Sequence, residues 1–221
     1  MAMRAIALAA FVIWAGPALA ETGHVAGTVV VSRRGAPAPA DGVIVYLTGF
    51  NEPAAEVSAE IRQRDRRFAP ELVAITAGQS VTFPNGDPFF HNVFSASAAR
   101  RFDLGQYPQG EAKSKQFPSV GVVDVFCNIH PEMAATILVL PNRRFARAAK
   151  GGSFHIEGVP PGHWTLYAYS RRAAGPVKTQ VDVAAGQTAE VALSIVETRD
   201  AFPHPNKFGE KYRDPAQYRP R

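Results

Sequence analysis

Cys127 is the one cysteine of the chain, and it stands in the run VFCNIHPEM with His130 and Met133 following at equal spacing. Upstream, His91 lies in FPNGDPFFHNVFS. A thiol, two imidazoles and a thioether form a donor set that suits copper better than other common metals, since thiolate and thioether are soft and imidazole serves both oxidation states. The pattern predicts one mononuclear Cu(I)/Cu(II) ion on His91, Cys127, His130 and Met133. This is the trigonal two-His, one-Cys arrangement with a weak axial Met that serves electron transfer. Two other readings stay open: a buried cysteine beside unrelated loop histidines, and zinc. Zinc has less support, because Met is a poor zinc ligand and no further Cys, His or clear carboxylate completes a closed site.

The lone thiol also bears on compartment. Met1 to Arg4 carry one positive charge, Ala5 to Ala15 are almost wholly apolar, and Ala18-Leu19-Ala20 is a small-x-small cleavage site. That is the pattern of a secretory signal peptide over residues 1–20, too short and wrongly flanked for a membrane span. The mature chain is expected in the periplasm, with no stable membrane insertion. A single cysteine in an oxidising space has no internal disulfide partner, so burial or a metal must protect it. The neighbouring His and Met favour a metal.

Other functional classes find little support. The formal net charge is +5, or +4 without Arg4. The basic residues fall in scattered pairs such as Arg33-Arg34, Arg100-Arg101, Arg143-Arg144 and Arg171-Arg172. No concentrated basic stripe exists, which argues against nucleic acid. There is no Cys-x-x-Cys-His haem attachment, no His-x-His pair of a multicopper cluster, no defensible Ser-His-Asp order and no paired catalytic carboxylates. An enzyme is not expected. His24, His155, His163 and His204 are read as surface or packed residues rather than ligands.

About 200 residues remain after the leader, enough for one large or two small domains. Period-2 alternation and β-branched runs dominate, and no long segment has helical periodicity. Strands are expected at 25–32, 43–48, 56–63, 71–76, 79–83, 91–95, 112–117 and 121–127. Further ones fall at 134–140, 153–156, 164–170, 177–183 and 188–195. Turn signals such as Asn85-Gly86-Asp87-Pro88, Gly151-Gly152 and Pro160-Pro161-Gly162 separate them. The fold class is all-β, in sandwiches or barrels.

The stretch RRFAPELVAITAGQSVTFPNGDPFFHNVFS resembles the N-terminal half of cupredoxins. VGVVDVFCNIHPEM then resembles their penultimate strand and ligand loop, and ATILVL the closing strand. The resemblance extends to exported cupredoxin-domain proteins of the plastocyanin-like, methylamine-utilization type. It implies a Greek-key β-sandwich at 56–141, with the four residues above as copper ligands and His91 bonding through Nδ1. It also implies that Asn92 braces the ligand loop. One departure is visible: plastocyanin-type loops place the Met two residues farther from the His, so Glu132 stands as a competing axial oxygen. Asn85 and Asp87 are read as shaping the turn before His91, and RRFDLGQY as structural. Pro88, Phe89, Phe90, Pro131 and Ala134 are candidates for an apolar collar around His130, with core packing of the two Phe residues as the alternative.

On either side, HVAGTVVVSRRGAPAPADGVIVYLTG and GSFHIEGVPPGHWTLYAYS resemble the carboxypeptidase-regulatory-like, or transthyretin-like, sandwich. Neither flank is complete alone. They are expected to pair into one split sandwich over 21–55 and 142–197, into which the cupredoxin domain is inserted; exposed host loops with close ends tolerate insertions. Residues 198–221 are rich in Pro, charge and aromatics without periodicity, and read as an extended tail that wraps the surface or is disordered. The function expected is single-electron transfer between a donor and an acceptor redox protein. Copper handling without redox cycling, and an interaction module with a vestigial site, remain the competing readings.

Overall fold

The structure, a computed structural model, describes residues 21–212; the leader expected over 1–20 and the end of the tail, 213–221, lie outside the described residues. Every regular element among the described residues is a strand. In chain order these are β1 (Gly23–Arg33), β2 (Ala36–Ala38), β3 (Val43–Thr48), β4 (Ala59–Glu60), β5 (Arg62–Arg64), β6 (Arg67–Ala69), β7 (Leu72–Thr76), β8 (Ser80–Pro84) and β9 (His91–Ser95). They continue with β10 (Phe102–Tyr107), β11 (Ala112–Gln116), β12 (Gly121–Phe126), β13 (Ala134–Leu140), β14 (Phe145–Arg147), β15 (Ser153–Val159), β16 (Gly162–Ser170), β17 (Val177–Val183) and β18 (Thr188–Glu197). The protein is all-β.

Residues from the two ends of the chain share sheets. β1 pairs antiparallel with β15 and parallel with β18, and β3 pairs antiparallel with β14 and β16. The sheet ordered β15-β1-β18 and the sheet ordered β14-β3-β16-β17 enclose one apolar cluster, which includes Val25, Val29, Val45, Leu47, Ile156, Leu166 and Ile195. The intervening segment forms a sheet ordered β10-β9-β12-β13-β7 and a smaller one ordered β11-β8-β4. These enclose a separate cluster that includes Ile61, Phe83, Val93, Phe117, Val125, Cys127, Met133 and Ile137.

The pleat sends alternate side chains to opposite faces of a strand, so a strand buried on both faces reads as a near-continuous apolar run. β3 (VIVYLT) and β13 (AATILVL) are such strands. Val45 and Leu47 enter the first cluster and Ile137 and Val139 the second. Their other faces, with Ile44, Tyr46, Leu138 and Leu140, meet in a third cluster that also takes in Leu72. That contact joins the two pairs of sheets.

The strand expected over 56–63 is divided. β4 pairs parallel with β8, Ile61 turns inward to full burial, and β5 turns to pair with β6. β2, β6 and β14, at three residues each, are too short to show a period and follow from their partners. β10, in RRFDLGQY, is not among the expected strands, and a register shift between Asp103 and Gln106 breaks its alternation.

Candidate metal centre

β12 ends at Phe126, which lies opposite Phe94 of β9, so Cys127 emerges beside the strand that begins with His91. The chain then closes a tight loop: the Cys127 N–H bonds Met133 O at 3.2 Å, and the Met133 N–H bonds His130 O at 3.1 Å. This loop turns His130 back over Cys127. The His91 Nδ1 stands 3.8 Å from the Cys127 sulfur and the His130 Nδ1 stands 3.7 Å from it. One donor atom from each of His91, Cys127 and His130 falls within 4.8 Å of the others. No other comparable group of His, Cys and carboxylate donors occurs among the described residues.

His91 and Cys127 are fully buried, whereas His130 is partly exposed. Met133 is fully buried in the apolar cluster that holds Cys127, while its neighbour Glu132 is exposed. Burial thus favours the thioether over the carboxylate as the inward-facing member of that pair. The donor set fits a soft or borderline ion, because one thiol and two imidazole nitrogens converge and a thioether lies in the same apolar surroundings.

The protonation states follow from the surroundings. Burial raises the Asp87 carboxyl, but N–H groups of Arg66 and Asp65 and the His91 ring more than offset it and hold Asp87 below its usual range. The carboxylate is therefore an acceptor, and at 2.7 Å from His91 Nε2 it calls for the proton on that nitrogen. The Nδ1 lone pair of His91 is left facing Cys127. Burial and the nearby His91 lower the pKa of His130, which favours its neutral, metal-binding form. Burial raises the Cys127 thiol above its ordinary value despite N–H groups directed at the sulfur.

Asp87 does more than shape its turn. Its two carboxylate oxygens accept the N–H groups of Asp65 and Arg66, at 2.7 and 3.0 Å, in the hairpin turn between β5 and β6. Both turn residues have positive φ, 53° and 55°, a region that non-glycine residues seldom occupy. Asp87 thus couples that turn to the His91 ring. Asn85 does shape the turn: its side chain bonds Phe89 O, Tyr107 O and the Asp87 N–H.

Asn92 accepts the Asn128 N–H at 3.3 Å and donates to Asp103 at 2.6 Å. It ties the ligand loop to β10. Phe89 packs its ring 5.2 Å from His91 and 5.5 Å from His130, between centroids. Phe89, Phe90 and Ile129 are exposed, as are Pro88 and Pro131, and Ala134 is partly buried. The two Phe residues are therefore not core residues.

His24 stacks on His155, and His163 pairs with Asp182, all away from this centre. His204 is different. Its ring stacks on Phe126 at 3.9 Å and its Nε2 lies 3.1 Å from Pro131 O, against the outside of the ligand loop. No sequence periodicity marks that contact.

Comparisons with known proteins give partial matches. The family described as polysaccharide lyase family 4, domain II, matches residues 145–191. No curated protein matches the chain. Among solved structures, the purple cupredoxin from Nitrosopumilus maritimus is 22% identical over 37% of this chain and 99% of its own, with a TM-score of 0.34. The amicyanin of Paracoccus versutus is 22% identical over 43% of this chain and 97% of its own, at 0.36. A copper-containing nitrite reductase from Thermus scotoductus is 22% identical over 50% of this chain and 28% of its own, at 0.37.

Proposed function

We propose that this protein carries single electrons through one mononuclear copper ion held by His91, Cys127, His130 and, as the weak axial donor, Met133. The observation that carries the reading is the convergence of two imidazole nitrogens on one buried thiol, with a buried Met closing the same loop. Copper bound there would supply a Cu(I)/Cu(II) couple. The residues of the chain account for the rest. Asp87 fixes the tautomer and orientation of His91, as carboxylates do for ligating histidines elsewhere. Asn92 and the loop hydrogen bonds hold Cys127 and His130 in place, which limits rearrangement when the charge of the site changes. Burial keeps water from the sulfur.

His130 is the partly exposed ligand, and the apolar residues around it give a contact surface for a donor and an acceptor protein. Pro88, Phe89, Phe90, Ile129 and Pro131 form the exposed part of that surface. In this reading the protein is exported to the periplasm and is not an enzyme. Residues 21–55 and 142–197 form a second sandwich interrupted by 56–141, a division supported by the pairing of β1 with β15 and β18.

The test is copper loading of the mature protein, followed by optical and paramagnetic resonance spectra. An intense thiolate charge-transfer band that bleaches with reductant and returns with oxidant is expected. A colourless protein that yields copper readily would instead favour copper handling. A Cys127→Ala variant that kept both the band and the affinity would remove the site assignment altogether.

A further inference from the structure

Besides its imidazoles and thiol, the ligand loop offers further polar groups: the carbonyls of Cys127 and Pro131 and the side chain of Asn128. The segment after β18 meets all of them. The Tyr212 hydroxyl donates to Cys127 O at 2.6 Å, the Lys207 N–H donates to Asn128 Oδ1 at 2.9 Å, and His204 Nε2 lies 3.1 Å from Pro131 O. Lys207 also reaches Asp103 through Nζ at 2.7 Å, and Asp103 in turn holds Asn92, which holds the Asn128 N–H. The loop is thus gripped directly and through β10.

The gripping segment has local order of its own. Asn206 Oδ1 accepts the N–H groups of Phe208 and Glu210, at 2.9 and 3.0 Å, and the Asn206 N–H bonds Glu210 O at 2.8 Å. Side-chain capping of this kind lets Asn organise a turn without a strand or helix. Lys207 lies within that turn, and Tyr212 follows it by two residues.

We propose that residues 203–212 are a strap that positions the Cys127–Met133 loop, with Tyr212 as its principal positioning residue. The inference rests on the copper reading for its redox consequence, but the grip itself does not depend on a metal. The Tyr212 hydroxyl directs the positive end of its dipole at the peptide of the thiolate ligand. That orientation favours the less positively charged, reduced form of the site. It also opposes the loop movement needed to release the ion.

The experiment compares the full mature chain with Tyr212→Phe, which removes only the hydroxyl, and with Lys207→Met at an exposed position as a second variant. In metal-free protein, amide hydrogen exchange of residues 127–133 should quicken in both variants. In copper-loaded protein, Tyr212→Phe should lower the reduction potential. It should also speed Cu(I) transfer to a chelator roughly fivefold, the factor that one ordinary hydrogen bond of about 1 kcal/mol supplies. Exchange rates equal to those of the parent in both variants would overturn the strap. An unchanged potential and transfer rate in Tyr212→Phe would remove Tyr212 as its positioning residue. If the parent itself forms no thiolate–copper site, the copper reading fails, and hydrogen exchange alone then decides the strap.

Discussion

His91 and Asp87 meet through Nε2 and Oδ2 at 2.7 Å, both buried, while the other nitrogen of the same ring faces Cys127 at 3.8 Å. One carboxylate therefore decides which imidazole nitrogen is free to bind. Asp87→Asn preserves the side-chain volume but removes the charge and weakens this orientation. The variant is expected to bind copper about tenfold more weakly, at the lower end of what such outer partners contribute. Competition against a chelator of known affinity would measure this, and equal affinities would deny Asp87 the role.

The contact between the two pairs of sheets rests on a small cluster in which Leu140 is almost wholly buried beside Ile44, Tyr46, Leu72 and Leu138. Leu140→Ala should destabilise the protein by about 3 kcal/mol, through lost transfer energy and the cavity left behind. Urea unfolding measures this. Because Leu140 lies outside the cluster that holds Cys127 and Met133, the copper spectrum should not change. A loss below about 1 kcal/mol would mean that the site collapses around the smaller side chain.

Gly27 lies where β1 runs parallel to β18, with Val191 as its partner. A Cβ on Gly27 would stand 1.7 Å from the Val191 carbonyl oxygen, and backbone cannot yield as a flexible side chain does. Gly27→Ala should therefore force β1 and β18 apart and cost at least about 2 kcal/mol, within the range seen for overpacked interiors. Thermal unfolding checks it, and an unchanged midpoint would show that the pairing of the chain ends tolerates separation.

What could be read in advance follows from how local each signal is. Cys127, His130 and Met133 share one short loop, and the structure brings His91 to that loop at the start of the buried strand β9. The near-continuous apolar runs of β3 and β13 also foreshadow burial on both faces. The role of Asp87 is less legible, because a carboxylate four residues before a His, among Asn, Gly and Pro, has the composition of any turn former. Its second role arises only when the turn between β5 and β6 closes over it. The tail is the least legible. The contacts of His204, Lys207 and Tyr212 depend on a loop some eighty residues earlier in the chain, and no period records such a relationship.

His204 gives that tail contact a pH dependence. Burial lowers its pKa below the ordinary 6.5, although the carbonyls of Pro205 and Pro131 pull the other way. The groups facing it are the Phe126 and Phe94 rings, those two carbonyls and the Tyr212 hydroxyl. A histidine whose folded pKa is depressed is held neutral by the folded state. Its contribution is present in full above pH 6.5 and is lost as pH falls through the folded value. Docking of residues 203–212 should therefore loosen as pH falls from about 6.5 toward the depressed folded value, because the undocked histidine takes up a proton before the docked one does. Amide exchange of that segment, corrected for intrinsic rates, should show protection falling with acidification. His204→Phe retains a ring to stack on Phe126 but cannot titrate, so its protection should be flat over the same interval. Equal pH profiles for the parent and this variant would assign the loosening to another group.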